Sequence, residues 1–260
     1  MHYTDFFDVE LAQQRFAEDD FELLIRETTG STSDDIKTWI RHGQYERPVV
    51  KLVFSQTQGR GTQNRPWINP QPSLLFSIGV CEPRDNDGCP YSILVGVGLA
   101  KALRSLGINA KLKWPNDLWV NGGKAGGILL ERIHHNHQSY LVIGIGLNLL
   151  PVALRTTRGW LGSGLFTDET VLDPKAMAAL WVKCVKSVVA SLTMESVLMV
   201  ELWNEYDVFK GQMIDVCHED LIWTGRSQGI NAEGLLLLEC NGKTQSILSG
   251  SITKVMMEKA

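Results

Sequence analysis

Four segments of this chain carry residue types that scaffolding alone does not need. In the first, Gln56-Thr57-Gln58-Gly59-Arg60-Gly61-Thr62-Gln63-Asn64-Arg65-Pro66-Trp67, two glycines flank an arginine between two predicted strands. Glycine lets backbone approach a ligand closely, and backbone N–H groups with a guanidinium can cradle an anion. A solvated loop has the same composition. The second is Lys113-Trp114-Pro115-Asn116-Asp117. In the third, Lys124 stands among Gly122, Gly123, Gly126 and Gly127 at a strand entrance. There an ammonium can reach a phosphate or carboxylate as a point charge, though a hairpin-turn lysine fits that feature equally well. The Gly-x-x-x-x-Gly-Lys-Ser/Thr phosphate loop is absent. The fourth, Gly144-Ile145-Gly146-Leu147-Asn148, places two glycines in an apolar strand. That pattern marks close approach by a ligand or by other backbone.

Those segments need a frame. Ser31-Thr32-Ser33-Asp34-Asp35 predicts a helix start, because hydroxyls beside two acids suit an N-cap and the positive end of a helix dipole. That helix runs to about Arg41. Strands are predicted over Val49–Gln56 and Ser73–Cys81, with the glycine loop between them. A helix from about Tyr91 to Leu106 ends at Gly107 in the C-cap position. Strands near 108–113, 117–121, 126–133 and 139–147 alternate with turns at Asn121-Gly122-Gly123 and 134–138. Helices follow over Pro174 to about Thr193, with Pro in the first turn, and over about Met194 to Tyr206. Residues 8–26 read only as a weak lead-in. After Phe209 short strands stand alone: Met213–His218, Leu221–Gly229, Gly234–Cys240 and Thr244–Ser249. The fold class is α+β (mixed α/β). A larger domain over 1–208 has a central mixed β-sheet flanked by helices, and a small β-barrel over 209–260 follows and packs against it.

Composition removes several classes of function. The 260 residues carry 25 Lys+Arg and 29 Asp+Glu, a net charge of −4, which argues against a generic nucleic-acid binder. No membrane span is expected, since the best apolar stretch, Leu141–Leu154, is interrupted by Asn148 and Pro151. The first 24 residues hold seven acids against Arg15, unlike a secretory signal or a transit peptide. Cysteines 81, 89, 184, 217 and 240 are odd in number, spread out and without a Cys-x-x-Cys pair, so reduced thiols in a cytoplasmic protein are expected. His134, His135 and His137 fit no closed zinc pattern and read as a polar hairpin turn.

Together the four segments resemble the biotin protein ligases. That family's pattern runs Ser-Thr-Asn, Gln near Gly-Arg-Gly-Arg-x-Gly-Arg-x-Trp, Lys-Trp-Pro-Asn-Asp, Lys-x-x-Gly-Ile-Leu-x-Glu, and Gly-x-Gly-x-Asn. Here Ser31-Thr32, Gln56, Gly59-Arg60-Gly61, Arg65, Trp67, residues 113–117, Lys124, Gly127 to Leu129, Glu131 and residues 144–148 match in order and spacing. The resemblance covers about residues 25–150 by motif. It implies an ATP-dependent ligase that makes biotinyl-5′-AMP and transfers biotin to a lysine of a biotin carboxyl carrier domain. It implies an SH3-like barrel for 209–260. Lys124, Arg60 and Asp117 become the catalytic candidates, with Asp117 on the Mg²⁺ side. The biotin set is Ser31, Thr32, Ser33, Gln56, Gly59, Arg60, Gly61, Thr62, Lys124 and Gly127, with Trp114 near the biotin tail. The ATP or adenylate set is Arg60, Arg65, Trp67, Lys113, Asn116, Lys124 and Asn148, with Trp67 stacking on adenine.

Two departures stand out. In the loop, Thr62 replaces an arginine and Asn64 replaces a glycine, where Asn would tolerate a positive φ; and the third residue of Ser-Thr-Asn is here Ser33, a shorter polar group. Residues before 25 leave no room for the DNA-binding domain of some family members, so no nucleic-acid role is expected, and the protein would be a monomer or homodimer. A lipoate or octanoate ligase or transferase of the same fold, and a non-enzymatic biotin-binding regulator, are the alternatives. Three charges at Lys124, Arg60 and Asp117 favour an enzyme over a binder.

Overall fold

The computed structural model describes residues 2–17, 19–68, 72–83, 88–152, 160–218 and 221–256. The stretch expected to be a weak lead-in forms two elements, α1 (Val9–Phe16), capped by Asp8, and β1 (Glu22–Thr29). Their signal was faint because α1 buries only Ala12 and Phe16, and β1 is a partly exposed edge strand. The helix expected at Ser31 is α2 (Thr32–Arg41), whose N-cap Ser31 accepts the Asp34 N–H. β2 (Val49–Gln56) and β3 (Ser73–Cys81) lie where expected.

After α3 (Tyr91–Arg104) come β4 (Lys111–Lys113), β5 (Asp117–Val120), β6 (Gly123–His135) and β7 (Gln138–Asn148). β6 starts three residues before its expected position, since Asn121 and Gly122 take φ of 51° and 77° and close the β5–β6 turn early. The seven strands order as β1-β2-β3-β7-β6-β5-β4. β1 runs parallel to β2 and every other neighbour is antiparallel, which makes the sheet mixed. α3, α4 (Pro174–Ser191) and α1 share the main core with β2 and β3. α2 builds a second, smaller core through Ile36 and Ile40 on Val49, Ile133, Tyr140 and Val142. The site strands are therefore sandwiched, and β3 is buried at every position except Cys81.

α5 (Ser196–Tyr206) leads to five antiparallel strands: β8 (Met213–His218), β9 (Leu221–Ile230), β10 (Leu236–Cys240), β11 (Lys243–Ile247) and β12 (Ser251–Met256). Their order is β11-β10-β9-β8-β12. β12 was not foreseen; it pairs with β8 across a register shift at its middle. The small sheet shares the main core rather than forming its own. Polar contacts tie it down too: the Trp114 indole donates to the Gly234 carbonyl at 3.1 Å, and the Ile230 N–H donates to Asn204 at 3.1 Å. Trp114 is 1% exposed and belongs to this seam. It is absent from the lining of the cavity that holds the site residues, although it was expected near the biotin tail.

Candidate active site

The expected site residues converge on one cavity of about 260 Å³ at the ends of β2, β5, β6 and β7. Its first wall is the start of α2. Ser31, Thr32 and Ser33 are buried there. Gln56 Oε1 accepts the Thr32 N–H at 2.7 Å and the Thr32 hydroxyl at 3.1 Å. The Thr32 and Ser33 hydroxyls both meet Ser77 Oγ, at 2.7 and 3.0 Å. Ser77 lies in mid-β3 without a motif around it, so sequence reasoning passed over it. These groups form a closed set of hydroxyl and amide functions that can donate or accept.

The second wall is the glycine loop. It folds back on itself: the Gly61 N–H donates to the Arg65 carbonyl at 2.8 Å, and the Trp67 N–H to the Gly59 carbonyl at 2.9 Å. Gly59 thus shapes the loop, while Arg60, Gly61, Thr62, Arg65 and Trp67 line the cavity. The residue with positive φ is Gln63, at 58°, not Asn64. Arg65 is bent onto Thr62, donating to its carbonyl at 3.2 Å and its hydroxyl at 3.1 Å. A guanidinium therefore lies over the position where the family pattern carries the missing arginine. Arg60 reaches instead to Asp34 on α2, at 2.5 Å.

The floor is made by facing glycines. Gly127 of β6 pairs with Gly146 of β7, and the Trp67 ring lies across both. A Cβ on Gly146 would stand 2.6 Å from the indole, so the pair of glycines is what lets the ring settle. A Cβ on Gly144 would meet Ser33 Oγ at 2.8 Å.

Charge gathers at the far end. Asp117 accepts from Lys113 at 3.0 Å through one oxygen and from Lys124 through the other. Burial alone would push the Asp117 carboxyl up; the two ammonium groups outweigh it and hold the carboxyl below its usual value. Lys124 also stands over the Trp67 ring, 5.5 Å from its centroid, and Lys113 over Trp160 at 5.7 Å. The Lys124 backbone is clamped by residues 161 and 163, donating to the Leu161 carbonyl at 3.0 Å and accepting the Ser163 N–H at 2.8 Å. Asn116 donates its amide to the Ile128 carbonyl at 2.6 Å and so fixes β6. The Asn148 amide donates to the Ser163 carbonyl at 3.2 Å, while its buried Oδ1 has no partner among the described residues. The buried Trp67 indole nitrogen has none among them either. Orphaned polar atoms on a cavity wall call for a ligand or water that completes them.

Trp160, Gly162 and Ser251 line the cavity without having been foreseen. They come from the segment after β7 and from β12, and no local pattern marks them. Trp160 donates to the Ile252 carbonyl at 3.3 Å, which joins cavity and small sheet. His134, by contrast, meets Ser139 across the β6–β7 turn, and the described residues hold no cluster of metal-binding side chains. Asp117 is the only carboxylate on the cavity wall among the described residues, and each of its oxygens already accepts from a lysine. One carboxylate facing two ammonium groups is a poor seat for a Mg²⁺ held by the protein alone; such an ion takes one or two carboxylates together with waters and phosphate oxygens.

Residues 25–148 match the biotin/lipoate A/B protein ligase family, and residues 210–255 match the biotin protein ligase C terminal domain. The chain belongs to the biotin protein ligase family. Among its relatives, the bifunctional ligase/repressor BirA of Escherichia coli is 27% identical over 84% of this chain and 70% of its own length. The biotin–[acetyl-CoA-carboxylase] ligase of Mycobacterium tuberculosis is 34% identical over 46% of this chain and 47% of its own. Among solved structures, the Aquifex aeolicus biotin protein ligase in complex with biotin and ATP superimposes with a TM-score of 0.70. That likeness, at 22% identity, covers 91% of this chain and 99% of the other and establishes the shared fold of this family member.

Proposed function

We propose that the protein is the ATP-dependent ligase that activates biotin as biotinyl-5′-AMP and transfers it to a lysine of a biotin carboxyl carrier domain. One observation carries this: a single cavity is lined by the neutral polar groups of Ser31, Thr32, Ser33 and Gln56, by Arg60 of the glycine loop, and at its far end by Lys113 and Lys124. The uncharged wall suits biotin's ureido ring, which needs donors and acceptors together. The cationic end suits the reacting groups. In the first step a carboxylate oxygen attacks the α-phosphorus and pyrophosphate leaves. Both reactants are anions, and their repulsion is severe where the dielectric is low. Fixed cations offset it and stabilise the charge that builds up in the transition state. In the second step the carrier's neutral amine attacks the acyl carbon and AMP leaves.

Lys124 is placed to bridge the two reacting anions, with Asp117 holding it and Lys113 in place. The Asn148 oxygen, which has no donor among the described residues, suits the amino group of adenine beside Trp67. Mg²⁺ would arrive on the ATP phosphates rather than on Asp117. The boundary between the catalytic and small units falls at 208/209, between α5 and β8. The five cysteines form no disulfide among the described residues, which supports a cytoplasmic setting. The test supplies purified protein with MgATP and biotin, then with lipoate. Biotin-dependent pyrophosphate release and biotin on the carrier lysine are expected. Release with lipoate alone would make it a lipoate ligase, and no release with either would leave a binding protein.

A further inference from the structure

Arg60 belongs to a loop, yet it is held by elements that are not. Its Nη2 donates to Asp34 Oδ1 at 2.5 Å and stands 4.0 Å from Glu131 Oε1. Lys37, one turn further along α2, reaches both acids, Asp34 at 2.7 Å and Glu131 at 2.8 Å. Two anions and two cations thus alternate, drawn from α2, β6 and the loop, and Arg60 is the one of the four that lines the cavity. Asp34 comes from the first turn of α2 and Glu131 from β6, so the anions are fixed by regular structure. Arg65 is tied back to Thr62 inside the loop. Arg60 is then the one loop guanidinium held from outside it. Burial would raise the Asp34 carboxyl, but Arg60 and Lys37 outweigh burial and keep it below its usual value.

We propose that Asp34 is a positioning residue for Arg60: it grips Nη2 alone and orders the guanidinium, leaving Nη1 and Nε for the carboxylate of biotin or the phosphate of the adenylate. The proposal rests on the ligand role given to Arg60 above. A guanidinium has five N–H donors in a rigid fork, so one can anchor while others bind. Without the anchor, each binding event must freeze a long side chain and its loop. Removing Asp34 also adds one unit of positive charge beside Arg60, which would by itself favour an anion. The Asp34 side chain is 40% exposed, so water and salt screen that gain, and the loss of order prevails.

The test is a cycle of biotin affinities measured by calorimetry on Asp34→Ala, Arg60→Ala and the double variant, with thermal unfolding as a check on the fold. Asp34→Ala is expected to weaken biotin binding about three- to tenfold. Asp34→Asn keeps an acceptor oxygen and should fall between wild type and Asp34→Ala. In the Arg60→Ala background, Asp34→Ala should add less than about twofold, because its partner is already gone. An equal loss in both backgrounds would show that Asp34 does not act through Arg60. Unchanged or tighter binding by Asp34→Ala would overturn the proposal directly. If Arg60→Ala binds biotin like wild type, the role of Arg60 falls and this one with it. Should Asp34→Ala fail to fold, Asp34→Ser, which still suits a helix first turn, carries the same cycle.

Discussion

Asp117→Asn tests how the cationic end of the site is held. The Lys113 side chain is 3% exposed and that of Asp117 14%, so this pair is buried. The Lys124 side chain, at 23%, reaches water. Exposure decides the magnitude. A solvated pair is worth about 0–1 kcal/mol, whereas removing one partner of a buried pair costs about 3–5 kcal/mol, because the other charge is stranded. Asn has the shape of Asp, but it has lost the charge and would point an NH₂ at one of two ammonium groups. The expected loss in urea unfolding free energy at neutral pH is therefore about 3–5 kcal/mol, set mainly by Lys113. Adding Lys113→Met should recover part of it by removing the stranded charge. The pH dependence has a definite sign. The folded Asp117 carboxyl lies below its ordinary value of 3.8, against burial and because of both lysines. A lowered carboxyl contributes stability above its unfolded pKa and loses it as pH falls through the folded pKa. The gap between wild type and variant should therefore narrow below about pH 4. A loss under about 1 kcal/mol, or a gap that stays constant down to acid pH, would mean the lysines are not held by this charge.

Three further outcomes follow from the same geometry. Lys124→Ala should fold normally and release pyrophosphate about 10²–10³ more slowly; an undiminished single-turnover rate would remove Lys124 from the chemistry. Gly146→Ala places a methyl 2.6 Å from the Trp67 indole, so it should cost about 1–3 kcal/mol and shift Trp67 off the floor. Its readout is ATP affinity with biotin affinity as control, and equal losses in both would show that Trp67 does not serve the nucleotide. Asp207, between α5 and β8, is pushed up from 3.8 to about 6 by burial, only partly offset by the Phe209 N–H and other donors. A raised folded pKa gives stability at low pH that is lost as pH rises through it, here across about two units, or about 3 kcal/mol. Asp207→Asn should therefore gain on wild type between about pH 4 and pH 8 in urea unfolding, and a pH-independent difference would contradict the buried charge.

The cavity residues that lie in the four motifs were legible because they are residue types that scaffolding alone does not need. Glycines at 127 and 146 admit the Trp67 ring, and Lys124 faces Asp117 across the cavity end, so these positions show as irregularities in otherwise ordinary strands. β2, β3, α2 and α4 were legible from caps and apolar runs. α1 and β1 were not, because an edge strand and a helix with two buried residues leave little periodicity.

What positions the site was much less legible, for a physical reason. Trp67 and Trp114 look alike in sequence, each within a polar motif. One lies on the cavity floor and the other donates to Gly234 in the seam with the small sheet. The difference is set by partners 57 or more residues away, not by neighbours in the chain. Ser77 becomes the hinge of the hydroxyl network only because β3 lies beside β2, under the start of α2. Trp160 and Ser251 reach the cavity only because β12 pairs with β8. Asp34 has a local role as well, in the first turn of α2, and that role explains it fully when the sequence is read alone. Its contact with Arg60, 26 positions on, becomes visible only when loop and helix are brought together. A residue with an adequate local reason hides a distant one. Side chains of that kind, charged, partly buried and already accounted for as a cap or a turn, are where a folded site holds most of what its motifs do not state.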